Sequence, residues 1–180
     1  MTVPVIGLAG YMRSGKSTAA AHLAAAHGFA PVNFADALRD ALAALDPFVD
    51  PWHAGVRYGQ VVAQGYDGAK DRFPEVRRLL QVLGTEVGRN ILGADVWVHA
   101  WRRRVVALGS ACIVAADVRF PNEADAIRQA GGEVWWIGRP GCEPSGHASE
   151  RSIGPGDCDA VVPNATTVDD LRRLLDANLA

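Results

Sequence analysis

Lysine is scarce. The chain holds 18 basic residues, of which only Lys16 and Lys70 are lysines, and its formal net charge is −2. No global positive field is available to neutralise a phosphate backbone, so nucleic acid is excluded as the expected partner and any phosphate site must be local. Cysteine is scarce too. Cys112, Cys142 and Cys158 are an odd number without C-x-x-C spacing, which suggests neither a cysteine-built zinc site nor a disulfide framework and fits a reducing cytoplasm. Long apolar runs are missing. The first one breaks at Gly7 and Gly10 and has no basic flank, too short for a signal peptide or a membrane span, so a soluble, unexported chain without a membrane partner is expected. Repeats and low-complexity tracts are absent as well.

What is there suffices for one substantial core, since 49% of the 180 residues are apolar, and a single domain over residues 1–180 is the default. The arginine excess suits phosphate forks, but a GC-rich gene is its commoner source, so the bias decides nothing alone.

Along the chain, Val3 to Leu8 reads as a strand, followed by glycines and then by an Ala-rich helix from Thr18 to His27. Phe29 to Phe34 is a second strand candidate, and Leu38, Leu42 and Leu45 give a helix led by Asp36 and stopped at Pro47. Pro47 to Phe73 shows no periodicity, which marks a functional insertion. Pro74 opens a helix that pauses at Gly84 and resumes through Arg89, and another spans Val96 to Leu108. Ala111 to Ala116 is an unbroken apolar run ending in Asp117, the pattern of a central parallel strand. Asn122 is placed to cap the next helix, Gly131 and Gly132 to end it, and Glu133 to Ile137 to form a strand. A second irregular stretch, residues 138–158, precedes a short strand at Ala160 to Val162 and a capping box of Thr167 and Asp170. Short apolar strands alternating with helices predict a three-layer α/β/α sandwich on a mostly parallel five-stranded sheet, with ligands beyond the strands' carboxyl ends.

Gly10 to Ser17 (GYMRSGKS) fits G-x-x-x-x-G-K-[ST] without a mismatch and lies between a strand and a helix. In such a P-loop Gly10 and Gly15 let the backbone curl, and the amides through Arg13, Ser14 and Gly15 turn inward on phosphate oxygens. Lys16 can follow a transferring phosphate, Ser17 can ligate Mg²⁺, and Thr18 can support the inner phosphate. Asp117, at the end of its apolar run, is placed to hold the Mg²⁺ shell; the competing reading is a turn cap. Arg119 would emerge at the same edge as a clamp on phosphate, with an ion pair to Glu123 as its competitor. A guanine-reading Asn-Lys-x-Asp segment cannot be written with two lysines, so the expected donor is ATP. A P-loop NTPase fold with a small-molecule acceptor follows.

Four segments resemble the bacteriophage deoxynucleoside monophosphate kinases: Gly7 to Ser17 (GLAGYMRSGKS), Phe34 to Arg39 (FADALR), Leu79 to Arg89 (LLQVLGTEVGR) and Asp117 to Glu123 (DVRFPNE). The resemblance implies a nucleotide kinase that moves the γ-phosphate of Mg·ATP to a deoxynucleoside monophosphate, in the cytoplasm of a bacterial cell or a phage-infected host. It implies an acceptor-binding insertion at about 47–100 and a lid at about 138–158. Asp36 and Arg39 would contact the acceptor, Arg89 would grip its monophosphate, and Gln81, Thr85 and Glu86 would line the pocket. For Asp36 the competing reading is a helix cap. Arg139 and Arg151 would flank the lid, with Arg139 acting on the transferring phosphate, and His147 and Glu150 would lie within it. Trp97 and Trp101, four residues apart, read as packing residues. A homodimer is compatible with the resemblance. Residues Asp159 to Asn164 also resemble the adenine-side segment of dephospho-coenzyme A kinases, which supplies an alternative acceptor, and an ATP-binding regulator without an acceptor is a second alternative.

Overall fold

A computed structural model describes residues 5–50, 55–109, 111–144 and 152–179. Strand β1 (Val5–Ala9) leads through the glycine loop into α1 (Lys16–His27), and β2 (Ala30–Pro31) into α2 (Asp36–Leu45). A hairpin of β3 (Phe48–Asp50) and β4 (Val56–Arg57) precedes α3 (Tyr58–Val62), α4 (Tyr66–Arg72), α5 (Pro74–Gln81), a π-helix (Val82–Leu92) and α6 (Val96–Leu108). The chain closes with β5 (Ile113–Ala115), α7 (Pro121–Gln129), β6 (Glu133–Gly138), β7 (Ala160–Pro163) and α8 (Val168–Leu179). Two compact units result, one of residues 1–34 and 101–180, the other of residues 35–100.

The first unit is the expected parallel sheet, in the order β2-β5-β1-β6-β7. Alternation along β1 sets its two faces. Ile6 and Leu8 share a core with Ala19 and Leu23 of α1, Trp135 and Ile137 of β6, and Leu171 and Leu175 of α8. On the other face Gly7 has no room for a side chain, since an added Cβ would stand 2.3 Å from Ile127 of α7 and 2.9 Å from Val118. That contact brings α7 down onto β1. Trp101 is buried, stacks on Phe34 at 4.9 Å and donates its indole N–H to the Val32 carbonyl at 3.0 Å. It is the packing residue its spacing implied.

The strand expected over Phe29 to Phe34 pairs at Ala30 and Pro31, and its amides at Ala30 and Val32 reach the Cys112 and Val114 carbonyls of β5. Asn122 does not cap α7. Pro121 begins that helix and the buried Glu123 carboxylate accepts from the Arg119 amide at 2.7 Å and the Phe120 amide at 3.1 Å. A carboxylate reaching back from the first turn satisfies the amides at and before the cap, not the first-turn amides that a capping Asn would take.

The second unit corrects the reading of Pro47 to Phe73 as irregular. Val49, Tyr58, Val61 and Ala69 from that stretch are buried with Leu42 of α2 and Val76 of α5, and Tyr66, Phe73, Leu79 and Leu83 pack against them. Residues 35–100, which take in that stretch, form a compact unit with a core of its own. Tyr66 is gripped by two cations, Arg39 and Lys70, each 4.7 Å from its ring centroid. Burial first, then the Tyr66 hydroxyl, pushes the Tyr58 phenol above the range of ordinary titration. The continuation from Gly84 to Arg89 is a π-helix rather than a resumed α-helix, as the Gly93 amide bonding the Gly88 carbonyl five residues back illustrates. Trp97 holds it: the indole donates to the Gly84 carbonyl at 2.8 Å, and a Cβ on Gly88 would fall 2.6 Å from the ring. Of the expected lid, residues 138–144 and 152–158 contain only a short 3₁₀ turn at Pro155–Asp157, while His147, Glu150 and Arg151 lie outside the described residues.

The capping box of α8 forms as expected. The Thr167 hydroxyl donates to the Asp170 carboxylate at 2.8 Å and accepts from the Asp170 amide at 3.2 Å. Hydrogen bonds from Thr166 and then Thr167 hold the Asp170 carboxyl down to about 2. A depressed folded-state value stabilises above the unfolded value, near 3.9, and loses its effect as pH falls toward about 2. Thr167→Ala should lower Tm by roughly 2–4 °C at neutral pH, and thermal melts should show that deficit shrinking between about pH 4 and pH 2.

Candidate active site

The sequence of the first unit forces a bare, curled backbone at the carboxyl end of β1. Gly10 has φ 141° and Gly15 φ 106°, and Arg13 adopts φ 65° between them. A Cβ on Gly10 would stand 2.5 Å from the Ile137 carbonyl oxygen and 2.8 Å from Ser14 Oγ, and one on Gly15 2.5 Å from Asn164 Nδ2. Both positions are closed to side chains by space as well as by torsion. Tyr11 meets Trp136 of β6 edge-to-face at 5.0 Å, which fixes the outer side of the loop.

Lys16 lies across this loop, its ammonium donating to the Gly10 carbonyl at 2.6 Å and the Tyr11 carbonyl at 2.7 Å. A mobile cation is thus held at the loop by weak acceptors that a phosphate oxygen can outcompete, since hydrogen bonds to an ionised acceptor are about twice as strong as neutral ones. Ser14 Oγ is buried and has no hydrogen-bonding partner among the described residues. An orphaned hydroxyl in the curl of the loop, whose own Ser14 amide bonds the Tyr11 carbonyl at 3.2 Å, fits an anion that supplies the missing acceptor. Ser17 and Thr18 are exposed on the first turn of α1, whose amino end completes the cradle.

Asp117 and Arg119 follow β5, next to the loop's root, because the Val118 amide bonds the Leu8 carbonyl of β1. Asp117 Oδ1 accepts from the Phe34 amide at 2.9 Å, so one carboxylate oxygen ties β5 to the end of β2. Arg119 is exposed at the same edge, and the neighbouring Glu123 carboxylate takes the Arg119 amide. Arg139 is exposed just beyond β6, whose Ile137 carbonyl limits Gly10. Gly10, Arg13, Ser14, Gly15, Lys16, Ser17, Thr18, Asp117, Arg119 and Arg139 therefore all belong to the first unit and to the carboxyl edge of its sheet. Sequence reasoning missed Asn164 as a loop support. At the turn out of β7 its backbone N–H donates to the Gly138 carbonyl at 2.7 Å, and its Nδ2 donates to the Ser14 carbonyl at 2.8 Å. The two residues are 150 apart in sequence, and the signal available was the polar Asn ending an apolar strand.

The expected acceptor groups belong to the second unit. Arg39 donates to Asp36 Oδ1 at 2.9 Å. Asp36 is the first residue of α2, not its cap, which is Ala35. Gln81 is exposed at the end of α5 and lines an open cavity of about 310 Å³ with Lys70, Asp71, Pro74, Arg77 and Arg78. Arg78 is tied to Glu75 by two bonds at 2.8 and 2.7 Å. Thr85, Glu86 and Arg89 ride the π-helix, and Arg89 donates to the Ala94 carbonyl at 2.9 Å.

The parallel sheet and the lysine-closed glycine loop after its central strand define a P-loop kinase fold, a class of phosphotransferases. The dephospho-CoA kinase from Campylobacter jejuni has this fold, with a TM-score of 0.51 at 13% identity over 97% of this chain and 94% of that one. The sequence pattern of the deoxynucleotide monophosphate kinase family matches residues 60–175, and the chain belongs to that family. A protein of Acanthamoeba polyphaga mimivirus, described as a candidate deoxynucleotide monophosphate kinase, is 33% identical over 92% of this chain and 91% of its own length. The deoxynucleoside-5'-monophosphate kinase of Escherichia phage T5 is 33% identical over 35% of this chain and 25% of its own length. The family match begins after the glycine loop, so the loop itself is an observation apart from that match.

Asn164→Ala removes the side-chain donor from the Ser14 carbonyl. The substitution should cost about 1–3 kcal/mol of unfolding free energy, measured by urea denaturation, and should raise hydrogen exchange at the loop amides while the far-UV spectrum stays unchanged.

Proposed function

We propose that this protein transfers the γ-phosphoryl group of Mg·ATP to a deoxynucleoside monophosphate, giving ADP and the deoxynucleoside diphosphate, in the cytoplasm of a bacterial cell or phage-infected host. Family membership carries the acceptor half of this reading. The geometry of the glycine loop, with Lys16 drawn across it and the Ser14 hydroxyl buried beneath, supports the donor half.

In this reading an oxygen of the acceptor monophosphate attacks the γ-phosphorus in line, and the bond to the bridging oxygen breaks as ADP leaves with its electrons. The acceptor phosphate is already ionised, so no strong base is needed; the obstacle is repulsion between two anions. Lys16 exchanges the Gly10 and Tyr11 carbonyls for the transferring phosphate. The amides from Arg13 to Gly15 hold the inner phosphates, with Thr18 beside them. Arg119 and Arg139 offset charge at the sheet edge. Ser17 and Asp117 would hold Mg²⁺, which when bound neutralises charge on the outer phosphates. In the second unit Arg89 grips the monophosphate, and Gln81, Thr85 and Glu86 read base or sugar. Asp36 orients Arg39 toward the acceptor through their 2.9 Å ion pair.

That ion pair also separates this reading from a hydroxyl acceptor such as dephospho-coenzyme A. A hydroxyl needs a base to take its proton, whereas a phosphate acceptor does not, and the Asp36 carboxylate already accepts from Arg39.

Incubation with Mg·ATP and a panel of deoxynucleoside monophosphates, ribonucleoside monophosphates and dephospho-coenzyme A, with products identified by mass, should yield ADP and diphosphates with the deoxynucleotides. ADP formed without any acceptor dependence would refute the kinase reading. Lys16→Ala should lower kcat by about 10²–10³-fold with the fold intact; full activity in that variant would overturn the role given to Lys16.

A further inference from the structure

Away from the sheet's carboxyl edge, two histidines and an aspartate of the first unit converge on one point. His22 Nε2 and His27 Nε2 each stand 2.7 Å from the same oxygen, Asp176 Oδ1. The three ligating atoms all lie within 4.8 Å of one another, and the two imidazoles meet edge-to-face with centroids 5.6 Å apart. We propose that His22, His27 and Asp176 form a binding site for a first-row divalent transition ion, Zn²⁺ or Ni²⁺, that staples α8 to α1.

Local structure explains why these groups meet. Gly28 takes φ 72° and ends α1, its amide bonding the Ala24 carbonyl and the Phe29 amide the Leu23 carbonyl, so His27 is fixed as the last helical residue. Helices α1 and α8 run side by side in the same direction. Near their amino ends a Cβ on Gly15 would stand 3.7 Å from Leu171, and near their carboxyl ends His27 meets Asp176. Two helix carboxyl ends, each carrying partial negative charge, thus flank the three groups and favour a cation.

The donor set is two neutral imidazoles and one carboxylate, the mixture that suits zinc and nickel rather than magnesium or calcium. With bonds of about 2.0–2.2 Å, tetrahedral ligands stand about 3.3 Å apart, so the carboxylate oxygen must withdraw by about 0.6 Å from its 2.7 Å contacts. Each imidazole presents a lone pair once its proton resides on Nδ1, and no net proton is lost from a neutral ring. Three protein ligands leave further positions to water. His22 is the least exposed of the three, at 13%, against 33% for His27 and 46% for Asp176, so the ion would be reached from solvent without unfolding. The site shares no residue with the phosphate loop, and it stands whether or not the kinase reading does.

The test titrates Zn²⁺ or Ni²⁺ alone, without nucleotide, into the untagged full chain by calorimetry, and records the visible spectrum with Co²⁺. One saturable ion per chain is expected, weakened at least tenfold in His22→Gln and in His27→Gln, and likewise in Asp176→Asn should a histidine variant fail to fold. The Co²⁺ spectrum should lack a thiolate charge-transfer band. Zn²⁺ at one hundredfold above Kd should raise Tm by roughly 5 °C, and the rise should vanish in the variants. Absence of saturable binding, binding indifferent to these three substitutions, or a thiolate band that tracks Cys112, Cys142 or Cys158 would overturn the proposal.

Discussion

The first unit is organised around one spatial constraint: the backbone between β1 and α1 must curl where no side chain fits. At Gly10 the obstacle is the Ile137 carbonyl, 2.5 Å from where a Cβ would stand, and at Gly15 it is the Asn164 amide at the same distance. The loop is therefore shaped by β6 and β7, not only by its own glycines. Those strands must be seated for it to close. The core that seats them is the one α1 and α8 share, and α1 itself starts at Lys16. Loop, sheet and flanking helices thus form a closed circle of dependence, in which Lys16 is the first residue of a helix that the sheet's core holds down.

Polar atoms complete what packing begins. Asp117 ties the turn after β5 to the Phe34 amide, Asn164 ties the end of β7 to the Ser14 carbonyl, and Glu123 gathers the amides of Arg119 and Phe120. The first bond joins the ends of two strands, the second joins the end of a strand to the glycine loop, and the third fixes the turn into α7, so the edge is braced before any ligand arrives. Ser14 is the exception. Its hydroxyl is as buried as the core yet lacks a protein partner among the described residues. An unsatisfied buried hydroxyl costs about 1–3 kcal/mol, a cost that a bound anion would remove.

Local signals in the sequence were sufficient where the structure is local. The P-loop pattern, the apolar run before Asp117 and the Thr167–Asp170 box each occupy a few consecutive residues, and each appears where its spacing placed it. The second unit was not legible in that way. Its strands are three and two residues long, too short for alternation to show, and its core is assembled from single apolar residues on several brief helices. The π-helix escaped notice because Gly84 reads as an interruption, whereas a Cβ there would stand 3.1 Å from Leu38 and Gly88 is small because Trp97 lies against it. Non-local convergence was hardest to read: Asn164 and Ser14 are 150 residues apart, with only a polar residue at a strand end to mark the first, and Asp176 and His22 are 154 apart.

The same distinction bears on how the chemistry is divided. Groups that the reading assigns to the nucleoside triphosphate come from a sheet edge braced by main-chain contacts, while those assigned to the acceptor sit on short helices held by side-chain pairs such as Asp36 with Arg39 and by two cations on Tyr66. Phosphate is the same in every nucleotide, so a rigid cradle built from backbone amides suits it, and those amides cannot be changed by substitution. Acceptors differ in base and sugar. In that reading, side-chain pairs on a separate small core in residues 35–100 would let acceptor selectivity vary one exchange at a time while the phosphate loop stays fixed.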